Sequence, residues 1–317
     1  MRMQRVALAL TFGMLLAGAG LAAGQDFPTK PVRMVTGDAG GPGDIAARLI
    51  GPGVSTSLGQ PLVVENRPWI IAVEHVVKSP RDGYTLLIYA SIVWIAPLVR
   101  KDLSWNPLRD FAPVALVGSS PNILVVHPSL PVKSVKDLVA LAKARPGDLN
   151  CAVGPTGSTT FIAAETFAAM TGARFVRVPY KGNVPGLTAL VSGEVQLFFA
   201  SATSATPLVK LGKLRALAVT SAKPSALAAG LPTMAAAGLP GYEVTSILGV
   251  FAPAKTPAPI IQRLNRDIVR ALNQPAVKER FVATGFDVVG GSPEQLAATM
   301  KSEIARFSKI MTAARAN

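Results

Sequence analysis

The sequence predicts an α/β fold in two interwoven lobes, and three observations predict it. Apolar runs of strand length alternate with helical patterns along the chain, as they do where helices cover mixed, largely parallel sheets. Two glycine-rich turns, at residues 37–43 and 154–160, each sit between such a run and a helix. About 290 residues follow the N-terminal leader, more than one open sheet usually holds, and no low-complexity linker divides them.

The leader comes first. Arg2 and Arg5 precede an uncharged apolar run over 6–21, and Ala22, Ala23 and Gly24 supply the small residues a signal peptidase reads. Residues 1–24 therefore read as a secretory signal peptide, cut between Gly24 and Gln25. No cysteine follows the run, so a lipoprotein anchor is not expected, and no later stretch is long and polar-free enough to span a bilayer.

Val32-Arg33-Met34-Val35 is the first strand and runs into the glycine-rich stretch Gly37-Asp38-Ala39-Gly40-Gly41-Pro42-Gly43. Asp44 then opens a helix with Ile45, Arg48 and Leu49 at i, i+3, i+4 spacing. Residues 61–65, 84–89 and 123–126 read as strands, the second preceded by the turn Arg81-Asp82-Gly83. Ser134 begins a helix whose Val135, Leu138, Val139 and Ala142 share a face, and Pro146-Gly147 ends it. Cys151-Ala152-Val153 runs into the second turn, and a helix carrying Ile162, Glu165, Thr166 and Ala169 follows. Further strands fall at 175–178, 195–199, 214–219 and 248–252. Two helices close the chain. One has Ile260, Leu264, Ile268 and Leu272 along a face; the other starts at the cap Ser292-Pro293-Glu294-Gln295.

Composition excludes several classes. The chain is 50% apolar and 16% charged, unlike a disordered protein. One cysteine excludes an internal disulfide framework, and with only two histidines a multi-ligand zinc site is not expected. Without the leader, 30 Lys and Arg face 18 Asp and Glu, a balance of +12. Nucleic acid does not fit, because the basic residues are scattered singly and aromatics are 6% of the chain. Small anions do fit. No cofactor or metal is called for. The dispersed carboxylates form no pair that spacing would place in one site. A secreted serine hydrolase would have to use Ser158 with His127, and the G-x-S-x-G elbow is absent. Cys151 reads as a buried small apolar side chain, and Trp94 as core or as cleft lining.

The two turns are the candidate binding elements. A helix N-terminus leaves amides without intrahelical partners, and the helix dipole makes them attractive to anions. In the first turn Thr36 and the backbone of residues 40–43 can serve. In the second, the hydroxyls of Thr156, Ser158, Thr159 and Thr160 join the Gly157 amide. The dipole supplies about 0.3–2 kcal/mol and each charge-assisted hydrogen bond about 1.5–3. Micromolar binding needs about 8 kcal/mol, so one helix end is too weak and two facing ends suffice. Neither turn is a nucleotide fingerprint. The competing reading is that both are tight strand–helix connections whose hydroxyls only cap.

Five segments carry a resemblance: Phe27-Pro28-Thr29-Lys30-Pro31-Val32-Arg33, Val64-Glu65-Asn66-Arg67-Pro68, Asp82-Gly83-Tyr84-Thr85-Leu86-Leu87, Val178-Pro179-Tyr180-Lys181-Gly182 and Gly249-Val250-Phe251-Ala252-Pro253. In order, and with nearly the same spacing, they resemble the Bug receptors, the periplasmic solute-binding proteins of tripartite tricarboxylate transporters. The likeness runs from about Gln25 to the C-terminus. It implies a two-lobed periplasmic binding protein, type II and Venus-flytrap-like, with one lobe over 25–124 and 245–317 and the other over 125–244. Such a receptor is a monomer that closes on a small organic acid, makes or breaks no bond, and delivers its ligand to membrane permease subunits. An exported sensor acting on a signalling partner is the alternative role.

The family's ligand loops fall on residues 36–44 and 154–160, where the carboxylate is held partly through ordered water. The resemblance thus implies contacts from Thr36, Gly40, Gly41 and Asp44 in the first, and from Thr156, Gly157, Ser158 and Thr159 in the second. Ser91 matches a third loop, with Trp94 beyond it. Lys181, beside Gly182, lies in a motif near the cleft, and Ala200 at the end of a strand. Three departures stand out. Relatives usually read Pro-Phe-Ala where this chain has Thr36-Gly37-Asp38, and a Gly-Ala-Gly-Gly-Asn run where it has Trp69-Ile70-Ile71-Ala72. They often carry Asp at the position of Ala200.

Overall fold

The computed structural model describes residues 27–316, so the leader and its cleavage point lie outside the described residues. Two sheets share one long strand. In the first, β1 (Val32–Thr36) lies between β2 (Leu62–Asn66) and β3 (Thr85–Ala90), all parallel. Strand β9 (Thr245–Pro253) runs antiparallel to β3 and pairs in turn with β4 (Phe111–Val126), which also takes β10 (Asp287–Gly291). In the second, β5 (Asn150–Val153) lies parallel between β6 (Val176–Pro179) and β7 (Leu197–Ser201). The far part of β4 pairs antiparallel with β7 and with β8 (Arg215–Val219). The parallel ladders are those the strand–helix alternation predicts. The antiparallel ones arise because β4 and β9 run from one sheet towards the other.

The helices are α1 (Pro42–Leu58), α2 (Trp69–Val77), α3 (Ile92–Val99), α4 (Val135–Ala144), α5 (Thr159–Thr171), α6 (Asn183–Val191), α7 (Ala202–Lys210), α8 (Ala258–Leu272), α9 (Pro275–Ala283) and α10 (Pro293–Ala316). Proline at its first position starts α1, and Gly59, at φ +71°, ends it in the left-handed conformation that glycine adopts without a Cβ clash. Residues 69–72, one of the departures, form the first turn of α2, where Trp69 sets its ring edge-to-face on Trp105 at 5.7 Å.

One buried cluster fills the space between the first sheet and the pair α1 and α8, with Met34, Leu86 and Val250 under Ile50, Val54, Leu264 and Ile268. Another joins both sheets beneath α10, whose Leu296, Met300 and Phe307 share a cluster with Trp94, Phe251, Phe167 and Phe199. Apolar area removed from water, at roughly 25 cal/mol per Å², drives both. A third cluster backs the second sheet under α6 and α7.

Where the chain passes between sheets, Thr220 ties the crossings together. Its hydroxyl donates to the Val244 carbonyl at 2.6 Å and accepts from the Asn122 amide at 2.9 Å. Its own amide donates to the Asn122 carbonyl, and Val244 N–H donates back to the Thr220 carbonyl, each at 2.9 Å.

Candidate functional site

A cavity of about 370 Å³ is lined from both sheets. Its floor is two cross-strand pairs on successive turns of the pleat: Ser120 opposite Ser246 on β9, and Asn122 opposite Ser201 on β7. Ser120 and Asn122 are two residues apart on β4 and so share a face, with Pro121 turned to the other. Pro42 at the start of α1 and Thr159 at the start of α5 line the walls, and Ile45, Phe281 and Phe286 supply an apolar side. A smaller hollow of about 160 Å³ also meets Pro42 and is lined by Thr36, Asp38, Gly43 and Tyr89.

The first turn is held from within. Asp44, expected to contact ligand, is buried and turned to internal partners. Its carboxylate accepts from the Gly40 amide, the Arg48 guanidinium and the Asn66 amide, each at 2.9 Å. The Arg48 bond is the main cause that holds Asp44 down to about 2, helped by the Gly40 and Asn66 bonds and opposed by burial. Gly40 N–H is thereby spent on the protein, and Gly41 N–H donates to the Asp38 carbonyl at 3.0 Å. Both glycines shape the turn rather than donate to a ligand. The amides left over are those of Gly43 and Asp44, which find no acceptor among the described residues. Thr36 is buried, and Gly43 lies so near it that a Cβ there would come 2.2 Å from the Thr36 hydroxyl. Only glycine lets the helix start against that side chain. Burial, helped by the charge of the exposed Asp38, pushes the Tyr89 phenol up to about 12.

The second turn divides its labour in the same way. Ser158 is the N-cap of α5, accepting from Phe161 N–H, and Thr160 Oγ1 accepts from Gly154 N–H at 3.0 Å. The two hydroxyls also bond each other at 3.1 Å. Thr159 alone of the three lines the cavity. The amides of Thr159 and Thr160 have no acceptor among the described residues. Thr156 is exposed and does not line the cavity. Gly157, at φ +88°, packs on the backbone of α3, where a Cβ would stand 3.3 Å from Ala96 Cα.

The remaining expected contacts separate. Ser91 is fully buried at the start of α3, and its Oγ has no hydrogen-bond partner among the described residues. Trp94 is a core residue, not a cleft wall: it is fully buried, edge-to-face on Phe251, and its indole N–H donates to Glu303 at 2.8 Å. Ala200 is fully buried opposite Ile123 in the cluster behind the second sheet. Lys181 is exposed and outside the cavity lining. The serine hydrolase pair is not assembled, because His127 Nδ1 bonds Ser129 Oγ at 2.7 Å while Ser158 is spent on its cap. No cluster of three or more metal-ligating side chains occurs among the described residues.

Sequence reasoning missed the floor. Asn122, Asn183, Ser201 and Ser246 come from distant parts of the chain, and only the strand crossing brings them together. One signal was present: Ser119, Ser120, Pro121 and Asn122 interrupt an apolar run, and that polar break is where β4 passes from one sheet to the next.

Comparison with known proteins agrees with this geometry. The model of the tripartite tricarboxylate transporter family receptor, TctC, matches residues 46–315. Protein BugT of Bordetella pertussis is 35% identical over 321 residues, covering 98% of this chain and 98% of its own length. The structure of R. palustris Rpa4515 with adipate superposes with a TM-score of 0.78 at 38% identity, covering 91% of this chain and 98% of that one. MatC from Rhodopseudomonas palustris, with bound malate, gives a TM-score of 0.75 at 30% identity over 90% of this chain and 99% of that one. With its two lobes and a family match over most of its length, the chain belongs to the TctC, or Bug-type, family of tripartite tricarboxylate transporter receptors, and is a solute receptor rather than an enzyme.

Proposed function

We propose that this receptor is exported to the periplasm, captures a small organic carboxylate between its lobes, and delivers it to the membrane permease subunits of a tripartite tricarboxylate-type transporter. The observation that carries the reading is the pair of helix N-termini, α1 at Pro42 and α5 at Thr159, that line one cavity from opposite lobes. Each keeps two amides without an acceptor among the described residues, at Gly43 and Asp44 and at Thr159 and Thr160; Thr159 lines the larger cavity and Gly43 the smaller hollow beside it. Charge-assisted hydrogen bonds from such amides, at about 1.5–3 kcal/mol each, contribute a large part of the about 8 kcal/mol that micromolar binding requires. The cavity lining holds no Lys, Arg or His, so backbone donors and hydroxyls carry the anion. The relatives crystallised with adipate and malate support the same chemistry.

Binding both lobes at once draws them together about the Thr220 crossing, which accounts for closure without a reactive side chain. The division at 25–124 with 245–317 and 125–244 places that crossing at the boundary. No helix among the described residues is long and apolar enough to cross a membrane.

Thermal shift and calorimetry against a panel of mono- and dicarboxylates test the proposal. At least one acid is expected to bind at micromolar concentration and raise Tm. A chain indifferent to every acid, yet bound by a neutral sugar, would overturn it.

A further inference from the structure

Helix α5 starts at the cleft with Thr159 and ends about 20 Å away at Thr171. There, beside the edge strand β6, lies an open hollow of about 590 Å³. All of its lining comes from residues 165–177 of the second lobe, and none is shared with the cleft, so lobe movement leaves it intact. Two arginines line it. Arg177 is held in place: the buried Glu165 carboxylate accepts from its Nε and, at 2.9 Å, from its Nη2, and the guanidinium lies over the Phe175 ring, 5.4 Å from its centre. A guanidinium carries five N–H donors. The two bonds to Glu165 leave three on Arg177, two on Nη1 and one on Nη2, along a single edge. The side chain is 43% exposed, so solvent reaches the group. Arg174 is exposed on the same hollow, and its side chain makes no hydrogen bond or ion pair among the described residues.

We propose that this hollow is a second ligand site, separate from the cleft, and that Arg177 and Arg174 bind a phosphate group in it. A planar guanidinium edge held in one orientation grips two oxygens at once, and little side-chain freedom is left to lose on binding. The two side chains offer eight donors, three from Arg177 and five from Arg174. A carboxylate accepts about four, whereas a phosphate ester presents three strong acceptor oxygens. Glu165 is the one acid in the lining and is spent on Arg177, so the hollow keeps a positive charge for an anion. A bare ion fills little of the volume, and Ala169 and Gly172 leave the rest of the wall low. The phosphate therefore arrives on a carrier, either a soluble ester or a lipid headgroup. The chemistry differs in kind from that of the cleft, whose lining has no Lys, Arg or His, and does not depend on what the cleft binds.

The test is calorimetry on the full mature chain at fixed ionic strength, with glycerol phosphate as probe, glycerol as its neutral control, and co-sedimentation with phosphatidylglycerol or phosphatidylcholine vesicles. The wild type should bind glycerol phosphate or the phosphatidylglycerol vesicles, and neither glycerol nor phosphatidylcholine. Arg174→Ala should weaken that binding by about fivefold or more and keep the ligand-free Tm, because the side chain it removes holds nothing among the described residues. Arg177→Lys, which cannot offer a two-donor edge, should weaken it by about tenfold or more and also lower Tm, since Glu165 loses its matched partner. Thr159→Ala, at the other end of α5, should leave phosphate binding unchanged. Retention on phosphatidylglycerol that Arg174→Ala abolishes identifies a lipid headgroup as the source, and binding of the soluble ester alone identifies a free one; either supports the site. Binding lost in Thr159→Ala and kept in Arg174→Ala would put the anion in the cleft and overturn the proposal. So would equal affinity of the wild type and Arg174→Ala, or no binding of either phosphate probe.

Discussion

The Gly40 amide donates to the Asp44 carboxylate at 2.9 Å, four residues on, and this bond sets the shape of the first glycine-rich turn. The same carboxylate holds Arg48 and Asn66, so it knits β1, α1 and the end of β2 into one corner of the cleft. Its charge also sits at the start of α1, where the helix dipole favours an anion. Asp44 thus already occupies part of the positive end of that helix.

Asp44→Ala should lower stability by about 1.5–3 kcal/mol, the range for hydrogen bonds to a charged group, and weaken ligand binding through the loosened turn. The acid limb follows in sign. The folded-state value, about 2, lies below the ordinary 3.8, so the stabilisation is present above pH 3.8 and is lost as pH falls towards 2. Thermal melts of wild type and Asp44→Ala should therefore converge at low pH. Parallel curves down to pH 2 would show that the charge on the carboxylate contributes nothing to stability.

How much of this was legible depended on whether local pattern or topology placed a residue. Helix α8 shows its stripe of Ile260, Leu264, Ile268 and Leu272 openly, because one face meets the core and the other water. Helix α3 shows none, because it is apolar almost throughout and its Val93, Trp94, Ile95 and Ala96 are all buried, so no period of 3.6 stands out. The helix starts that line the cleft were visible as glycine and hydroxyl clusters. Which amides and hydroxyls face outward was not, since that depends on bonds such as Gly41 to Asp38 and Phe161 to Ser158. Ala200 and Trp94 follow the same rule: family likeness suggests the cleft for Ala200, an isolated tryptophan leaves core and cleft both open for Trp94, and packing puts both in the core.

Ser158 and Thr159 are adjacent and should behave differently. Ser158 caps α5, so Ser158→Ala should cost about 0.5–2 kcal/mol of stability, read as a lower Tm without ligand. Thr159 lines the cavity, and its side chain makes no hydrogen bond among the described residues. Thr159→Ala should leave the ligand-free Tm unchanged and weaken carboxylate binding several-fold in calorimetry. If the two variants instead lose the same thing in the same proportion, the division of labour in this turn is wrong.

Gly157 is where the second turn meets α3. A side chain there is strained by φ +88° and would stand 3.3 Å from Ala96 Cα. Gly157→Ala should therefore weaken ligand binding by tenfold or more by holding the lobes apart, on top of about 1 kcal/mol of backbone strain. Small-angle scattering with saturating ligand checks the cause. The variant should stay more extended than the wild type, and identical curves would assign the loss to strain alone.

Glu303 offers the clearest pH dependence. Burial raises its carboxyl from the ordinary 4.5 to about 7, against the Trp94 indole bond and the Arg306 charge, which both favour ionisation. Glu243 lies on the far side of Arg306 and adds to the rise. The sign is opposite to that of Asp44. Below pH 4.5 the group is neutral in both states and costs nothing. Between 4.5 and about 7 only the unfolded chain ionises, so stability falls as pH rises, and above 7 the full penalty persists. Glu303→Gln keeps an acceptor for Trp94 and cannot ionise. Its melting temperature should match the wild type near pH 4.5 and exceed it at pH 8, by the equivalent of roughly 1–3 kcal/mol. Trp94 fluorescence in the wild type should shift with a midpoint near 7 and stay flat in the variant. A variant that is less stable at pH 8 would mean that the ionised carboxylate, and not the neutral acid, holds α3 to α10.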